Sequence, residues 1–405
     1  MALQRDRLNS VHKMIRGLIG CIIGVSVLIC QPVIGAVDKI TSTTMIPLNT
    51  PSLAMPESAL LDIGIARLND GLELTDEDDT VFPEIRFAEA TYFSNQLAKI
   101  LEKSGAWGAV RVIPNTDIVV DLYITGTILQ SDGETLKLDI EVYDSSGKKW
   151  FAKNYKQRVG KYAYDRRLKS LADPFHNLFV RIANDLLAYR EGLSNQKAEK
   201  LRQLSELRFA QLFSPEAFDT YVGKKRDGTL VIERLPASDD SILKRIQKIR
   251  ERDYLYIDSM QDYYDEFSQR MHLPYQDFRR ASFDSVVKAR QLKKKGNNTL
   301  IAGVSAVLVG IYGRSQATTR MSNDAGIATA AVGGYVIKSG LEMKQQAAAY
   351  NESVAEMGIS LEAEIAPRVI ELEDQTVTLT GSVQAQYLQW QDLLQKIYQQ
   401  ERGGF

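Results

Sequence analysis

Apolar positions along the chain change period several times, and each change marks a different kind of element. Leu60–Leu68 reads as a strand. Pro83 opens a helix in which Phe93, Leu97, Ile100 and Leu101 fall on one stripe, and Ser104-Gly105 ends it. A short strand at Ala109–Ile113 follows. Leu122, Ile124 and Ile128 then alternate with polar residues, Ser131-Asp132-Gly133 turns the chain, and Leu136, Leu138, Ile140 and Val142 alternate back. A second turn at Ser145-Ser146-Gly147 leads into Trp150–Gln157. Residues 58–160 are therefore expected to form a helix packed on one face of a mostly antiparallel sheet.

From Tyr164 to Lys295 the period is helical. Leu171, Phe175, Leu178, Ile182 and Leu186 mark one helix, and Leu201, Leu204 and Leu212 another. Asp227-Gly228 and the run Leu230–Ile232 interrupt them. Asp239 or Asp240 caps a long helix expected to reach about Met271, with Ile242, Ile246, Ile249, Met260, Tyr264 and Phe267 on its apolar stripe. Pro274 is expected to break it, a further helix running through Phe278, Val286 and Ala289. The tyrosines of Tyr254–Tyr264 read as packing residues with wet hydroxyls rather than as a stacking surface for bases or sugars.

Two apolar runs, Thr299–Tyr312 and Ala325–Ile337, come next, joined by a polar loop. Glycines recur every seventh residue: Gly296, Gly303 and Gly310 in the first arm, Gly326, Gly333 and Gly340 in the second. Seven residues is close to two helical turns, so each set lines one helix face. Glycine costs a helix roughly 1 kcal/mol relative to alanine, so three in register point to a close neighbour, most simply the other arm. Each arm gives roughly 20 Å of helix against a ~30 Å hydrocarbon core, too short to span comfortably. Lys293, Lys294 and Lys295 before the hairpin, with Lys338 and Lys344 after it, put positive charge at its base, within reach of lipid headgroups. Arg314 and Arg320 in the tip loop oppose deep insertion. A hairpin docked on membrane and a hairpin buried in the helical region are both open readings.

After a helix at Leu341–Met357, the tail runs Val369-Ile370-Glu371-Leu372, an acidic turn, Val377-Thr378-Leu379-Thr380-Gly381-Ser382-Val383, then an amphipathic helix with Leu388, Leu393, Leu394 and Ile397. Residues 368–400 resemble the central part of a BON domain, a module of bacterial envelope proteins often linked to phospholipid contact, without its closing strand. The glycine spacing is similar to the glycine-zipper segments of bacterial outer-membrane proteins. The element order of 58–160, with the stretch Asp121-Leu122-Tyr123-Ile124-Thr125-Gly126-Thr127-Ile128, resembles the small α/β domain shared by the curli-secretion lipoprotein type, the penicillin-binding-protein activator lipoproteins and the amino-terminal domain of the Tol-system periplasmic protein. Such a domain serves binding or assembly.

The first 36 residues carry Arg5, Arg7, Lys13 and Arg16, then an apolar core from Gly17 to about Cys30, then Pro32 and Gly35-Ala36. That order is expected of a secretory signal peptide cleaved after Ala36, with an uncleaved anchor helix as the alternative. Leu18-Ile19-Gly20-Cys21 has lipobox letters but lies at the start of the core. The segment carries a net charge of +3, so the formal charge of −1 for the chain becomes −4 for residues 37–405. This gives no electrostatic case for nucleic acid. Cys21 and Cys30 both lie within the signal, which leaves the mature chain without thiol chemistry.

Candidate chemistry is sparse. His176 and His272 form no His-x-x-x-His pair, and no nucleophile elbow, P-loop or dinucleotide fingerprint occurs. The Thr75–Thr80 acidic loop lacks the glycine and distal glutamate of an EF-hand. The expected organisation is a signal peptide at 1–36, a linker at 37–57, the α/β domain at 58–160, a helical region at 161–295, the hairpin at 296–340 and a helix plus β-β-α tail at 341–405. The fold class is α+β. The expected function is non-enzymatic, without metal or cofactor. It is exported to the periplasm, membrane-associated at the outer more than the inner membrane, and serves envelope assembly or maintenance through membrane lipid, envelope proteins and self-association. A subunit of an oligomeric secretion or pore complex and a carboxylate-dependent cell-wall hydrolase are the alternatives.

Overall fold

A computed structural model of the 405-residue chain describes residues 45–74, 81–164, 173–237, 239–294, 354, 356, 367–371 and 376–403. The segment expected as a signal peptide, the acidic loop at 75–80, the glycine-spaced segment 296–340 and all but residues 354 and 356 of the helix expected at Leu341–Met357 lie outside them. The fold is α+β, as the periodicity predicts. Residues Ile40–Phe405 gather into one compact unit, and its buried side chains form one core from Ala59 to Tyr398.

Strands β1 (Ile63–Ala66), β2 (Val110–Ile113), β3 (Leu122–Ser131), β4 (Thr135–Asp144) and β5 (Lys149–Arg158) form a sheet in the order β2-β1-β3-β4-β5. The three-stranded β3-β4-β5 meander is antiparallel as expected, but β1 pairs parallel with both β2 and β3, so the sheet is mixed. The reason is connectivity. Helix α1 (Pro83–Ser104) carries the chain from β1 back to the starting end of the sheet, so β2 must run parallel to β1. A strand with a parallel neighbour on each side is central, and all four residues of β1 are buried. Proline begins α1 where its missing N–H costs nothing, and Gly105, at φ +64°, closes it in the left-handed conformation.

Helices α2 (His176–Glu191) and α3 (Asn195–Phe213) follow, then a single turn α4 (Pro215–Phe218) and a two-stranded ribbon of β6 (Val222–Lys224) and β7 (Leu230–Ile232). Ser194 caps α3 by accepting the Lys197 N–H. The described part of the expected linker, from residue 45, is a strap along α2. Asn177 and Asn184 accept the N–H groups of Ile46 and Asn49, each at 2.9 Å, and Glu191 accepts that of Ser52 at 2.8 Å. The three acceptors are seven residues apart and share one helix face.

Helix α5 (Ser241–Lys294) is 54 residues long, about 80 Å at 1.5 Å per residue. Asp240 caps it, accepting the N–H groups of Ile242 at 2.9 Å and Leu243 at 3.0 Å. The expected break at Pro274 does not occur, because the flanking turns are anchored. His272 Nδ1 is 2.8 Å from the Tyr92 hydroxyl, and buried Tyr275 and Phe278 pack against α1 and its entry, with Tyr275 5.4 Å from Tyr92 and Phe278 6.0 Å from Phe82. Further back, Gln261 uses both ends of its amide on β2, accepting the Val112 N–H at 2.8 Å and donating to the Val112 carbonyl at 3.0 Å. It stands in for a neighbouring strand at the sheet edge.

The tail folds as β8 (Arg368–Glu371), β9 (Thr376–Leu379) and α6 (Val383–Gly403), the expected β-β-α module. Leu388 faces solvent, whereas Tyr387, Trp390, Leu394 and Tyr398 turn inward. Leu212 and Ile242, placed on apolar stripes by periodicity, are also exposed. The Tyr256 hydroxyl is not wet: it is buried, with no hydrogen-bond partner among the described residues.

Candidate functional site

The sequence-predicted site residues are not assembled within the described chain. Lys293 and Lys294 close α5. Lys295, Lys338 and Lys344, with Gly303, Gly310, Gly326, Gly333 and Gly340, lie outside the described residues.

The described residues instead bring a group of charges together in a cleft of about 720 Å³ between the start of the sheet, α3 and α5. Asp62 ends the segment entering β1, Asp121 precedes β3, Arg202 and Ser205 project from α3, and Arg250 and Tyr254 from α5. Asp121 is 2% exposed. Its Oδ2 accepts the Asp62 N–H at 2.9 Å, and its Oδ1 accepts the Ser205 hydroxyl. Arg202 Nε lies 3.8 Å from Oδ2. Arg250 donates to Ser205 Oγ at 3.0 Å and to the Tyr254 hydroxyl at 2.6 Å, so a chain of donors runs from α5 through α3 to the sheet.

Burial pushes the Asp121 carboxyl above its ordinary value, against the pull of Arg250, the Ser205 hydroxyl and the Asp62 N–H. Burial disfavours the Arg250 charge, but Tyr254 and Asp121 more than offset it and leave its pKa raised. Burial lifts the Tyr254 hydroxyl to about 12. Behind the cleft, Arg111 makes a bidentate pair with Asp258 at 2.6 and 3.1 Å and stacks 4.4 Å over Tyr254. Asp62 accepts the Ala109 N–H at 2.8 Å, and glycine at 108 leaves room for its carboxylate, since a Cβ there would stand 2.2 Å from Asp62 Oδ1 and push it aside.

No protein-family model, curated protein or solved structure matches this chain. The cleft wall holds five acids, Asp62, Asp121, Glu199, Glu206 and Glu251, against Arg202 and Arg250. Ser205 donates its hydroxyl to Asp121 while accepting from Arg250, and no histidine is among the described residues that line the cleft. The arrangement fastens three elements.

Two further buried networks do the same elsewhere. Arg279 of α5 meets Asp173 at 3.0 and 3.1 Å, beside Tyr92. Tyr275 donates to Glu89 of α1 at 2.5 Å, and Ser131 of β3 donates to the same oxygen at 2.7 Å. His272 belongs to the first network, and His176 is half-buried, its pKa lowered by desolvation. Among the described residues no group of three potential metal ligands occurs.

Sequence reasoning passed over Asp121, Arg250 and Arg279, yet a signal existed. Asp121 directly precedes an apolar strand, and Arg250 and Asp253 interrupt the stripe defined by Ile246, Ile249 and Ile257. A charged residue on an apolar stripe is either exposed by a twist of the helix or paired inside.

Proposed function

We propose that this is an exported, non-enzymatic protein of the bacterial envelope that acts in envelope assembly or maintenance, its folded body holding the glycine-spaced segment 296–340 against membrane or against further copies of the chain. The observation that carries this reading is the run of α5. It continues for 54 residues without a break and ends at Lys294, just before the glycine-spaced segment in sequence. A helix anchored along its length by Gln261, His272, Tyr275 and Arg279 behaves as a strut. Any force or placement felt at its end is passed to the sheet body. Val354, the next described residue, is fully buried in the same core as α5.

The non-enzymatic half of the proposal is supported by the use made of buried acids. Asp121, Asp173, Glu89 and Asp253 each join two or more elements through hydrogen bonds or ion pairs. The resemblances to BON-like and small α/β envelope modules point the same way.

Flotation of the purified chain with vesicles of phosphatidylethanolamine and phosphatidylglycerol tests the proposal, alongside native mass measurement. Gly333→Leu would wedge apart arms that meet through their glycines, whereas Val332→Leu, about 100° around the helix, adds similar apolarity elsewhere. Loss of vesicle binding or of oligomer in Gly333→Leu alone is the expected result. Equal behaviour of the two variants refutes packing through the glycines, and a wild-type chain that neither floats nor associates refutes the proposal as a whole. A discrete ring-sized mass would favour a subunit of a secretion or pore complex.

A further inference from the structure

Asp253 sits on the buried stripe of α5 between Ile249 and Ile257 and is 3% exposed. Its two oxygens face α6. Oδ1 accepts the Trp390 indole N–H at 3.1 Å, and Oδ2 accepts the Tyr387 hydroxyl at 3.4 Å. Tyr256, three residues along α5, stacks on Trp390 with centroids 4.8 Å apart. This aromatic cluster is the centre of the surface by which the C-terminal module rests on α5. Around its rim, Arg252 pairs with Glu401 at 2.9 Å, and Arg368 of β8 bonds Ser259.

The carboxyl has hydrogen-bond donors but, among the described residues, no countercharge in contact. Arg250, on the same helix, is engaged with Ser205 and Tyr254. Arg111, reaching from β2, is engaged with Asp258, and Arg368 lies over the Tyr256 ring. From α6 the facing groups are neutral, with Gln391 donating to the Tyr387 hydroxyl. An ionised carboxylate held this way costs more than a protonated one, because two hydrogen bonds replace a full hydration shell.

We propose that Asp253 is a proton-operated catch, with the C-terminal β-β-α module seated most tightly on α5 when the carboxyl is protonated and loosened when it ionises. Burial raises the carboxyl from 3.8 to about 6, the hydrogen bonds from Trp390 and Tyr387 and the charges of Arg250 and Arg111 pulling the other way. In the opened state the carboxyl regains water and its ordinary value. The seated form therefore binds the extra proton between those two values, and opening grows as pH rises through that window, then levels off above it. Between pH 5.0 and 7.5 this amounts to roughly a tenfold increase in the opening equilibrium.

Hydrogen exchange of the α6 amides in the full chain, corrected for intrinsic exchange rates, reads that equilibrium directly. The expected result is about tenfold weaker protection of Val383–Gly403 at pH 7.5 than at pH 5.0, with the same amides of Asp253→Asn as the control. Asp253→Asn keeps the shape without the charge and should show high protection at both pH values. Trp390→Phe removes a donor to the ionised form and should enlarge the pH dependence. Equal wild-type protection at the two pH values, or an Asp253→Asn chain that keeps the dependence, overturns the proposal. Should Asp253→Asn fail to give a native spectrum, a smaller pH dependence in Trp390→Phe overturns it instead.

Discussion

Replacing Arg279 with methionine tests whether the buried ion pair joins α5 to the rest of the core. In the native chain the Arg279 and Asp173 side chains are 1% and 2% exposed, and both Asp173 oxygens are contacted from Nη1. The guanidinium also lies 3.9 Å from the Tyr275 ring centre and 4.8 Å from that of Phe175. Methionine can refill much of the volume between those rings, so the loss is mainly electrostatic: among the described residues Asp173 is left buried with Gln276, Tyr92 and the Phe175 N–H as donors. Removing one partner of a buried pair costs about 3–5 kcal/mol, which at about 2 °C per kcal/mol lowers Tm by roughly 6–10 °C. The pH dependence provides a second reading. Burial would raise Asp173, but Arg279 and the hydrogen bonds outweigh it and its pKa lies below 3.8, so its contribution is present above that value and lost as pH falls through the folded pKa. In Arg279→Met, burial wins and the folded pKa rises above the unfolded one, so acidification through that raised value now stabilises the variant. The gap between wild type and variant in urea melts should therefore narrow from pH 7.5 to pH 5.0. The Asp253 contribution is common to both chains and cancels. A loss under 1 kcal/mol, or a gap that does not change with pH, refutes the reasoning.

Two further substitutions probe positions where local rules are broken. Gly126→Ala would place a methyl 2.5 Å from the Asp139 carbonyl oxygen and 2.8 Å from Ile140 Cδ1, so a loss of about 2–3 kcal/mol is expected from overpacking between β3 and β4, and a neutral denaturation midpoint would show that the strands can part there. Pro274→Ala restores an N–H to the middle of α5, and a gain of about 1–3 kcal/mol in urea melts is expected; a loss would mean that the proline shapes the helix so that Tyr275 and Phe278 reach the core.

By itself the sequence determined the elements. Alternation placed β3 and β4, Pro83 and Gly105 bounded α1 at its observed ends, the turns at Asp132-Gly133 and Ser146-Gly147 stand where predicted, and the β-β-α tail was readable from Gly381 and its flanks. These features depend on neighbours a few residues away: side-chain period, caps and turn chemistry are local. Four things were decided only in three dimensions. The parallel placement of β1 depends on which sheet edge α1 returns the chain to, and no local pattern records that. The continuity of α5 through Pro274 is decided by Tyr92, about 180 residues away, whose hydroxyl holds His272 in the turn before the proline. Residues Ile46–Ser52 look like a linker because the groups that hold their backbone belong to α2, some 130 residues further on. The charged clusters at Asp121, Asp173 and Asp253 were hidden for the same reason. A charge on an apolar stripe is legible in one dimension, but whether it is exposed, paired with an arginine or left with neutral donors depends on which distant element packs over it.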